Sequence, residues 1–500
     1  MRWDKNHWIW MKNRGKTVEF LSAEHVTFRY FELAKHNILE DASLVIHPGT
    51  ITVIIGSSGC GKSTMAAVCA GLYPENAGEL LSGTVRLCGQ DAALLSPAQR
   101  SRFLTLMFQN PDLQFCMDTL RKELRFCLEN ISFLAEQMDS RIESFAKDLS
   151  IGPLLDRRFA SLSGGEKQKA ALCCLLALDS QGILLDEPFA NIDPDSSSEI
   201  VRMLKAQNAA HNTTIIAIDH QLDHWLEAAD EFILVGKGGQ ILKRGITPDT
   251  LAQYEDLFLS QGVFFPGRQY PSAEKTPPKG TAVVLNRVSI RSEKKGPALL
   301  TNCSLSFEYG QITALTGSSG AGKTTLFHTL LKQRPYDGTI LINGKDLRKI
   351  REKDLFQMIG IVFQNPSQQF TTTNVLDEVM ENLTIWCPGL NADQKQMRAK
   401  ELLSQYGLWE YRRYSPYMLS QGQQRRLAVL SVLCGEQKIL LLDEPTYGQD
   451  DRSTRTIMEQ LRQKARDQGL CIIFSTHDLN LAAACADVTY TIQEKELKPC

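Results

Sequence analysis

Two stretches, GSSGCGKS at 56–63 and GSSGAGKT at 317–324, pair closely spaced glycines with a lysine and a hydroxyl. The first holds Gly56, Ser57, Ser58, Gly59, Cys60, Gly61, Lys62 and Ser63, followed by Thr64. The second holds Gly317, Ser318, Ser319, Gly320, Ala321, Gly322, Lys323 and Thr324, followed by Thr325. Glycines let consecutive backbone N–H groups curl around phosphate oxygens, and the N-terminus of a following helix adds positive potential. In that wording Lys62 and Lys323 reach the β- and γ-phosphates, while Ser63 and Thr324 offer hydroxyls to Mg²⁺. Downstream, DEP occurs twice after an apolar run. Asp186 and Asp443 are placed to position a metal ion, and Glu187 and Glu444, one residue on, to polarise an attacking water. His220 and His477 follow the next apolar runs, in IDH and STH. The chemistry implied is phosphoryl transfer from a nucleotide to water.

Such groups need a rigid frame. ITVIIG, GILLDEP and TTIIAIDH are continuous and β-branched, as strands covered on both faces should be, and QITALTG, KILLLDEP and CIIFSTH answer to them. Each run ends in a polar residue, which predicts an open α/β sheet with its ligands at the carboxyl ends of the strands. EFILVGKGGQILKRG predicts two further strands around a Gly-Gly turn, and VTYTIQEKELK is its counterpart. His224 aligns with Leu481, so a His220–His224 metal pair is not expected.

The landmarks recur in one order. Ser163 and Ser420, Asp186 and Asp443, and His220 and His477 are each 257 positions apart. FQNPDLQF at 108–115 likewise returns as FQNPSQQF at 363–370. One domain has been copied once. The boundaries read as a tail at 1–17, a first domain at 18–262, a linker at 263–281 and a second domain at 282–500. The linker is rich in Pro, Gly and charge.

Totals narrow the partners. Five hundred residues suit two domains, and a net charge of −2 recommends no nucleic-acid partner. Thirteen scattered cysteines without a Cys-x-x-Cys pair read as reduced, largely buried thiols of a cytosolic protein. No run of 18 apolar residues spans a membrane. The opening MRWDKNHWIWMKNRGK lacks the h-region of a signal peptide, and Trp3, Trp8 and Trp10 suit either a frayed tail or a bilayer or partner contact. No room is expected for a C-terminal regulatory domain.

LSGGEKQKAAL at 162–172 and LSQGQQRRLAV at 419–429 resemble the signature loop of ATP-binding cassette (ABC) ATPases. With the phosphate loops, DEP strands and histidines, the resemblance covers residues 18–500. It implies two tandem P-loop domains, each with a mostly parallel sheet, an antiparallel β part and a helical signature subdomain. It further implies ATP and Mg²⁺ as ligands, and head-to-tail pairing in which each signature loop faces the γ-phosphate held by another cassette.

Carried over residue by residue, one site joins Lys62, Ser63, Gln109, Asp186, Glu187 and His220 to Ser420, Gly422 and Gln423. The other joins Lys323, Thr324, Gln364, Asp443, Glu444 and His477 to Ser163, Gly165 and Glu166. Gln109 and Gln364 match the family's Q-loop glutamine, which contacts Mg²⁺ or the attacking water. Three positions depart from the pattern: Gln421 replaces a signature glycine, Glu166 stands where Gln is usual, and Tyr30 fits the adenine-stacking aromatic where the second copy has Ser292. The second site is therefore expected to grip adenine more weakly.

Among such pairs, the FQNPDLQF wording and GLYPENAGELLSGTVRLCGQD resemble energy-coupling-factor importers of the cobalt and vitamin type. That resemblance implies an ATPase peripheral to the cytoplasmic face of the cell membrane. Its partners would be a transmembrane scaffold and a small membrane substrate-capture protein, with no nucleic acid. Sugar-type importer ATPases and ribosome- or nucleic-acid-associated tandem ATPases are the alternatives. The cargo, the choice between intrachain and interchain pairing, and the relative rates of the two sites are not legible in the sequence.

Overall fold

The computed structural model describes residues 19–30, 37–72, 78–149, 151–189, 194–267, 270, 272, 274–291, 296, 298–318 and 320–500. The readings placed on Trp3, Trp8, Trp10, Ser292 and Ser319 lie outside them. The chain divides into two compact units, Met1–Pro266 and Gly267–Cys500.

In the first unit the runs read as buried strands form one six-stranded sheet. Its order is Leu104–Met107, Gly182–Asp186, Thr214–Asp219, Ile51–Ile55, Glu231–Val235 and Ile241–Ile246. The first five strands are parallel and the last is antiparallel. Side chains alternate along the strands: Ile54, Leu184, Ile216 and Ile218 join one core, and Val53, Leu185, Ile215 and Ala217 the other. Burial on both faces is what a parallel sheet covered by helices demands, and it explains the uninterrupted β-branched wording.

A four-stranded antiparallel sheet, ordered Leu39–Ile46, Leu21–Tyr30, Gly78–Leu87 and Gln90–Asp91, shares the first of these cores through Leu21, Phe28 and Val85. A third core, with Leu124, Ile142, Phe159 and Ala170, belongs to the helices Leu120–Asn130, Ala135–Asp148 and Gly164–Ala177. The amphipathic first helix of that group places Leu120, Leu124, Cys127 and Leu128 on one side, the period of a half-buried helix.

The second unit repeats the plan. Its six-stranded sheet runs Ile359–Val362, Ile439–Asp443, Cys471–Ser475, Ile312–Thr316, Val488–Gln493 and Glu496–Pro499, and its four-stranded sheet is built around Thr281–Arg291. The histidines stand one and two residues beyond their strands, which end at Asp219 and Ser475.

Residues 263–281 do not behave as one spacer. Val263 and Phe265 pack into the core of the first unit. Thr276 is buried in the second unit, and its N–H donates to Asp487 Oδ1 at 2.7 Å. The Lys279 Nζ donates to Arg466 O at 2.7 Å. Backbone hydrogen bonding holds a segment whose side chains carry no apolar period.

All thirteen cysteines are free thiols; eight are buried, Cys88, Cys387 and Cys485 are half-buried, and Cys116 and Cys500 are exposed. Burial pushes the Cys69 and Cys173 thiols up to about 12, which keeps them protonated and unreactive.

Candidate nucleotide site

Parallel strands end on one edge, so Ile55, Met107, Asp186 and Asp219 bring four loops together at the carboxyl end of the first sheet. The loop after Ile55 carries Gly59 at φ 80° and Gly61 at φ 109°, values that side chains with a Cβ adopt poorly. A Cβ at Gly61 would also lie 2.9 Å from Leu39 Cδ2. Gly61 then caps the helix Lys62–Cys69, whose unpaired N–H groups face the loop. The Lys62 Nζ donates to Gly56 O at 2.7 Å and Ser57 O at 2.9 Å, so the ammonium lies within the curl of the loop.

The second unit reproduces this, with Gly320 at φ 76° and Gly322 at φ 111°. Its Lys323 Nζ donates to Gly317 O at 2.6 Å and Ser318 O at 3.1 Å. At Gly59 and Gly320 an added Cβ would meet open space, so the concave side of each loop is free for phosphate oxygens. Cys60 is buried against the first loop's core, and Ala321 packs at the same place in the second. Thr64 accepts or donates a 2.8 Å hydrogen bond with the Tyr30 hydroxyl, which holds that ring beside the phosphate loop. Thr325 O accepts from Thr329 Oγ1 at 2.7 Å within the helix of the second loop.

Ser63 Oγ donates to Asp186 Oδ1 at 2.9 Å, and Thr324 Oγ1 donates to Asp443 Oδ2 at 2.6 Å. A hydroxyl and a carboxylate at contact are the all-oxygen set that suits Mg²⁺. Ser63, Thr324, Asp186 and Asp443 thus fit the cation, which when bound offsets charge on the phosphates. Burial, then Glu187, pushes the Asp186 carboxyl up to about 7, with Asp219 adding to the rise. Burial raises Asp443 as well.

The sign follows from linkage. A carboxyl near 4 in the unfolded chain and near 7 in the fold opposes folding increasingly as pH rises through that window, and fully above it. The melting temperature of Asp186→Asn, without nucleotide or Mg²⁺, is therefore expected to gain on wild type between pH 5 and pH 8. A difference that stays constant over that range would contradict the assignment.

Glu187 and Glu444 occupy left-handed backbone, at φ 48° and 53°, unusual for a residue with a side chain. The fold holds the strain in place. The Glu187 N–H donates to Ile218 O at 2.9 Å, and that of Glu444 to Ser475 Oγ at 2.9 Å. The two carboxylates keep different company. Glu187 accepts a hydrogen bond from Gln109 Nε2, and His220 Nδ1 stands 3.9 Å from its Oε1. Glu444 instead pairs with His477 Nε2 at 2.6 Å, while Gln364 is exposed. The predicted trio of glutamine, glutamate and histidine is thus gathered in full in the first unit, and only glutamate and histidine touch in the second.

Each signature serine caps a helix. Ser163 Oγ accepts from the Glu166 N–H at 3.3 Å, and Glu166 Oε2 accepts from the Ser163 N–H at 2.7 Å. Ser420 and Gln423 form the same reciprocal pair at 3.3 and 3.0 Å. Gln421 opens its helix without disturbing it. Glu166 tolerates the position because Arg157 Nη1 lies 2.5 Å from its Oε1; burial alone would raise its carboxyl, but the Ser163 N–H and Arg157 bring it below the usual range. Gly165 is buried, and Gly422 O accepts from Gln449 Nε2 at 3.0 Å.

Asn110 and Asn365 build the bend of the repeated loops: each side-chain oxygen accepts the N–H two residues on, at 3.1 Å, before a one-turn helix opened by proline. Glu123 Oε2 accepts from the N–H of Cys116 and Met117, and Glu378 Oε2 from those of Thr371 and Thr372. Beyond the bends the faces differ. Asp112 pairs with Lys167 at 2.8 Å beside Leu113, which is 76% exposed, whereas Ser367 donates to Gln424 Oε1 at 3.0 Å.

Sequence reading missed Asp219 and Ser475. The Ser475 Oγ donates to Asp443 Oδ1 at 2.5 Å while accepting the Glu444 N–H, so one hydroxyl ties the Asp443 carboxylate to the Glu444 backbone. The differing letters before each histidine, in IDH and STH, were the available signal.

The ABC transporter family model matches residues 39–190 and again 300–447. A Bacillus subtilis (strain 168) protein provisionally named HMP/thiamine import ATP-binding protein YkoD is 33% identical over 509 residues, covering 96% of this chain and 91% of that one. A Methanosarcina mazei protein provisionally named ABC transporter ATP-binding protein is 31% identical over 523 residues, covering 95% and 87%. Among solved structures, a model of ribosome-bound archaeal Pelota and ABCE1 contains a chain similar in fold, with TM-score 0.66, 17% identity and coverage of 95% and 78%.

Proposed function

This chain belongs to the ABC transporter family as a tandem, ATP-hydrolysing member that uses ATP with Mg²⁺, and from that premise we propose that it energises an importer of the energy-coupling-factor type. In this reading each cassette turns over ATP with its own residues. Lys62 and Lys323 hold the β- and γ-phosphates, and Glu187 and Glu444 take a proton from the attacking water. Gln109 and Gln364 contact Mg²⁺ or the attacking water, and His220 and His477 fix the glutamates and the transferred group. Ser163 with Gly165 and Glu166, and Ser420 with Gly422 and Gln423, each supply a helix N-terminus to a nucleotide held by another cassette. Tyr30 supports adenine at the first site.

The observation carrying the importer reading is the duplicated Asn-Pro bend. It starts at the glutamine assigned to the nucleotide; the first bend ends at exposed Leu113, and the second ends at Phe370, beside the exposed Tyr417 and Met418 of a separate one-turn helix. Tyr417 is tied to the end of the bend, its hydroxyl donating to Phe370 O at 3.0 Å. A partly apolar exposed surface adjoining the loop of a catalytic glutamine suits the helices of a transmembrane scaffold at the cytoplasmic side of the membrane. The cargo is chosen by a membrane partner that captures substrate. The name borne by the Bacillus subtilis relative makes HMP and thiamine the first cargoes to test.

Exchanging Asp112-Leu113 with Ser367-Gln368 separates the two ends of this loop. Uptake driven by the assembled importer is expected to fall several-fold while ATP binding to the purified chain stays unchanged. Undiminished uptake by the exchanged protein would contradict the docking assignment.

A further inference from the structure

The strand Thr214–Asp219 ends in a carboxylate that is 3% exposed and fully engaged. Asp219 Oδ1 accepts from the N–H of His220 at 2.7 Å and of Gln221 at 3.1 Å, bending the chain as it leaves the sheet. Its Oδ2 accepts from Trp225 Nε1 at 2.8 Å. Trp225 is completely buried, and its ring lies 5.1 Å from that of Phe189, two residues beyond Glu187. One buried carboxylate thus connects the backbone of His220 to the segment that carries the catalytic glutamate. The His220 ring stands with Nδ1 3.9 Å from Glu187 Oε1, and that nitrogen is buried without a hydrogen bond. The same nitrogen lies 3.8 Å from Asp219 Oδ1, so the carboxylate that holds the His220 backbone also faces its ring.

The second cassette lacks all three members. At the matching positions stand Thr446 for Phe189, Thr476 for Asp219 and Ala482 for Trp225. There Thr476 Oγ1 accepts from the Asp478 N–H at 3.1 Å, and His477 bonds Glu444 directly. A carboxylate, its indole donor and the aromatic platform beneath are present together in one copy and absent together from the other. That is the pattern of one device rather than three independent substitutions.

We propose that Asp219, anchored by Trp225, is a positioning residue that aims His220 at the first nucleotide site, a role the second site fills by the direct His477–Glu444 contact. The inference rests on His220 serving hydrolysis at the first site, as read above. Three N–H donors converge on Asp219, so an amide in its place leaves at least one of them facing another donor. The His220 turn then relaxes, and small displacements of a positioned group are costly in rate.

The test uses the full chain carrying Glu444→Gln, so that turnover reports the first site. Adding Asp219→Asn is expected to lower single-turnover hydrolysis about 10-fold or more, with the KM for ATP within about twofold. In a background that also carries His220→Ala, Asp219→Asn is expected to cost nothing further, because both changes act through one side chain. Trp225→Phe keeps an aromatic ring of smaller size and removes the donor; it is expected to lower the rate in the same direction, and it decides the matter alone should Asp219→Asn not fold. Parental rates in Asp219→Asn or Trp225→Phe would overturn the proposal, as would an undiminished effect of Asp219→Asn in the His220→Ala background. Should His220→Ala by itself keep the parental rate, the reading of His220 falls and this proposal with it.

Discussion

Glu187→Gln and Glu444→Gln, introduced singly into the full chain, are each expected to cut steady-state ATP hydrolysis by about half or more and to leave ATP bound at the altered site. The double variant is expected to fall by about 10²-fold or more, the range that loss of a positioned general base commands. The geometry behind this is specific. Each glutamate directly follows the strand-end aspartate that accepts from the phosphate loop's hydroxyl, and each is held in left-handed backbone at φ 48° or 53°. Strain of that kind costs of order 1–3 kcal/mol and persists where surroundings over-determine it. Here the over-determining groups are Ile218 O in one cassette and Ser475 Oγ in the other. Glutamine keeps the shape and loses the base. Nucleotide retained through gel filtration, with phosphate release followed over time, checks both halves of the expectation. A single variant that hydrolyses ATP like wild type would remove its glutamate from the mechanism.

Arg462→Ala is expected to be the most destabilising of the changes considered, at about 3–5 kcal/mol, because it strands a buried charge. Its Nη1 lies 2.7 Å from both carboxylate oxygens of Asp487, and its Nη2 donates to Cys485 O at 2.6 Å. The Asp487 side chain is only 1% exposed and also accepts the N–H of Ile312 and of Thr276, each at 2.7 Å. One carboxylate therefore joins the central strand, the helix Asp451–Gln468 and the segment arriving from the first unit. A cavity of about 510 Å³ already adjoins this arginine, lined also by Tyr270, Arg455, Arg466 and Leu481, so truncation leaves little to refill the space.

The first unit provides the control. Asp230 occupies the matching place and accepts the Ile51 N–H at 2.8 Å, but Lys205 stands where Arg462 does and donates to Glu227 O instead. Lys205→Ala is accordingly expected to cost no more than about 1 kcal/mol. Amide hydrogen exchange in the strands Cys471–Ser475 and Thr214–Asp219 reads the two effects separately. A loss below about 1 kcal/mol in Arg462→Ala would show that the cluster around Asp487 is not a keystone of the second unit.

What the sequence made legible was the part fixed by two strong signals. Uninterrupted runs such as ITVII and ILLLD can be buried on both faces only in a covered parallel sheet, and glycines at the phosphate loops have backbone that side chains resist. Those two facts place Lys62, Asp186 and His220, and their counterparts, on one sheet edge. Other features depend on contacts that no local pattern announces. Thr276 sits in a Pro-rich stretch that reads as a free spacer, yet its N–H, carbonyl and hydroxyl are bonded by Asp487, Gln311 and Arg462. Asp219 and Ser475 precede the two histidines but differ between the copies, so the repeat that marks the histidines does not mark them. The same residue types also make different contacts in the two copies: Gln109 engages Glu187, while His477 engages Glu444. Duplication also explains the Asn-Pro bends, which the asparagine side chains build identically before the two faces diverge at Asp112 and Ser367.

The importer reading stands or falls on what the intact chain holds on to in its own cell. Purified from native membranes in mild detergent, with ATP and Mg²⁺ present, it is expected to carry a multi-span membrane protein in fixed stoichiometry, and to lose it when Asp112-Leu113 and Ser367-Gln368 are exchanged. Recovery instead in the ribosomal fraction in an ATP-dependent manner, with no multi-span partner, would contradict the account.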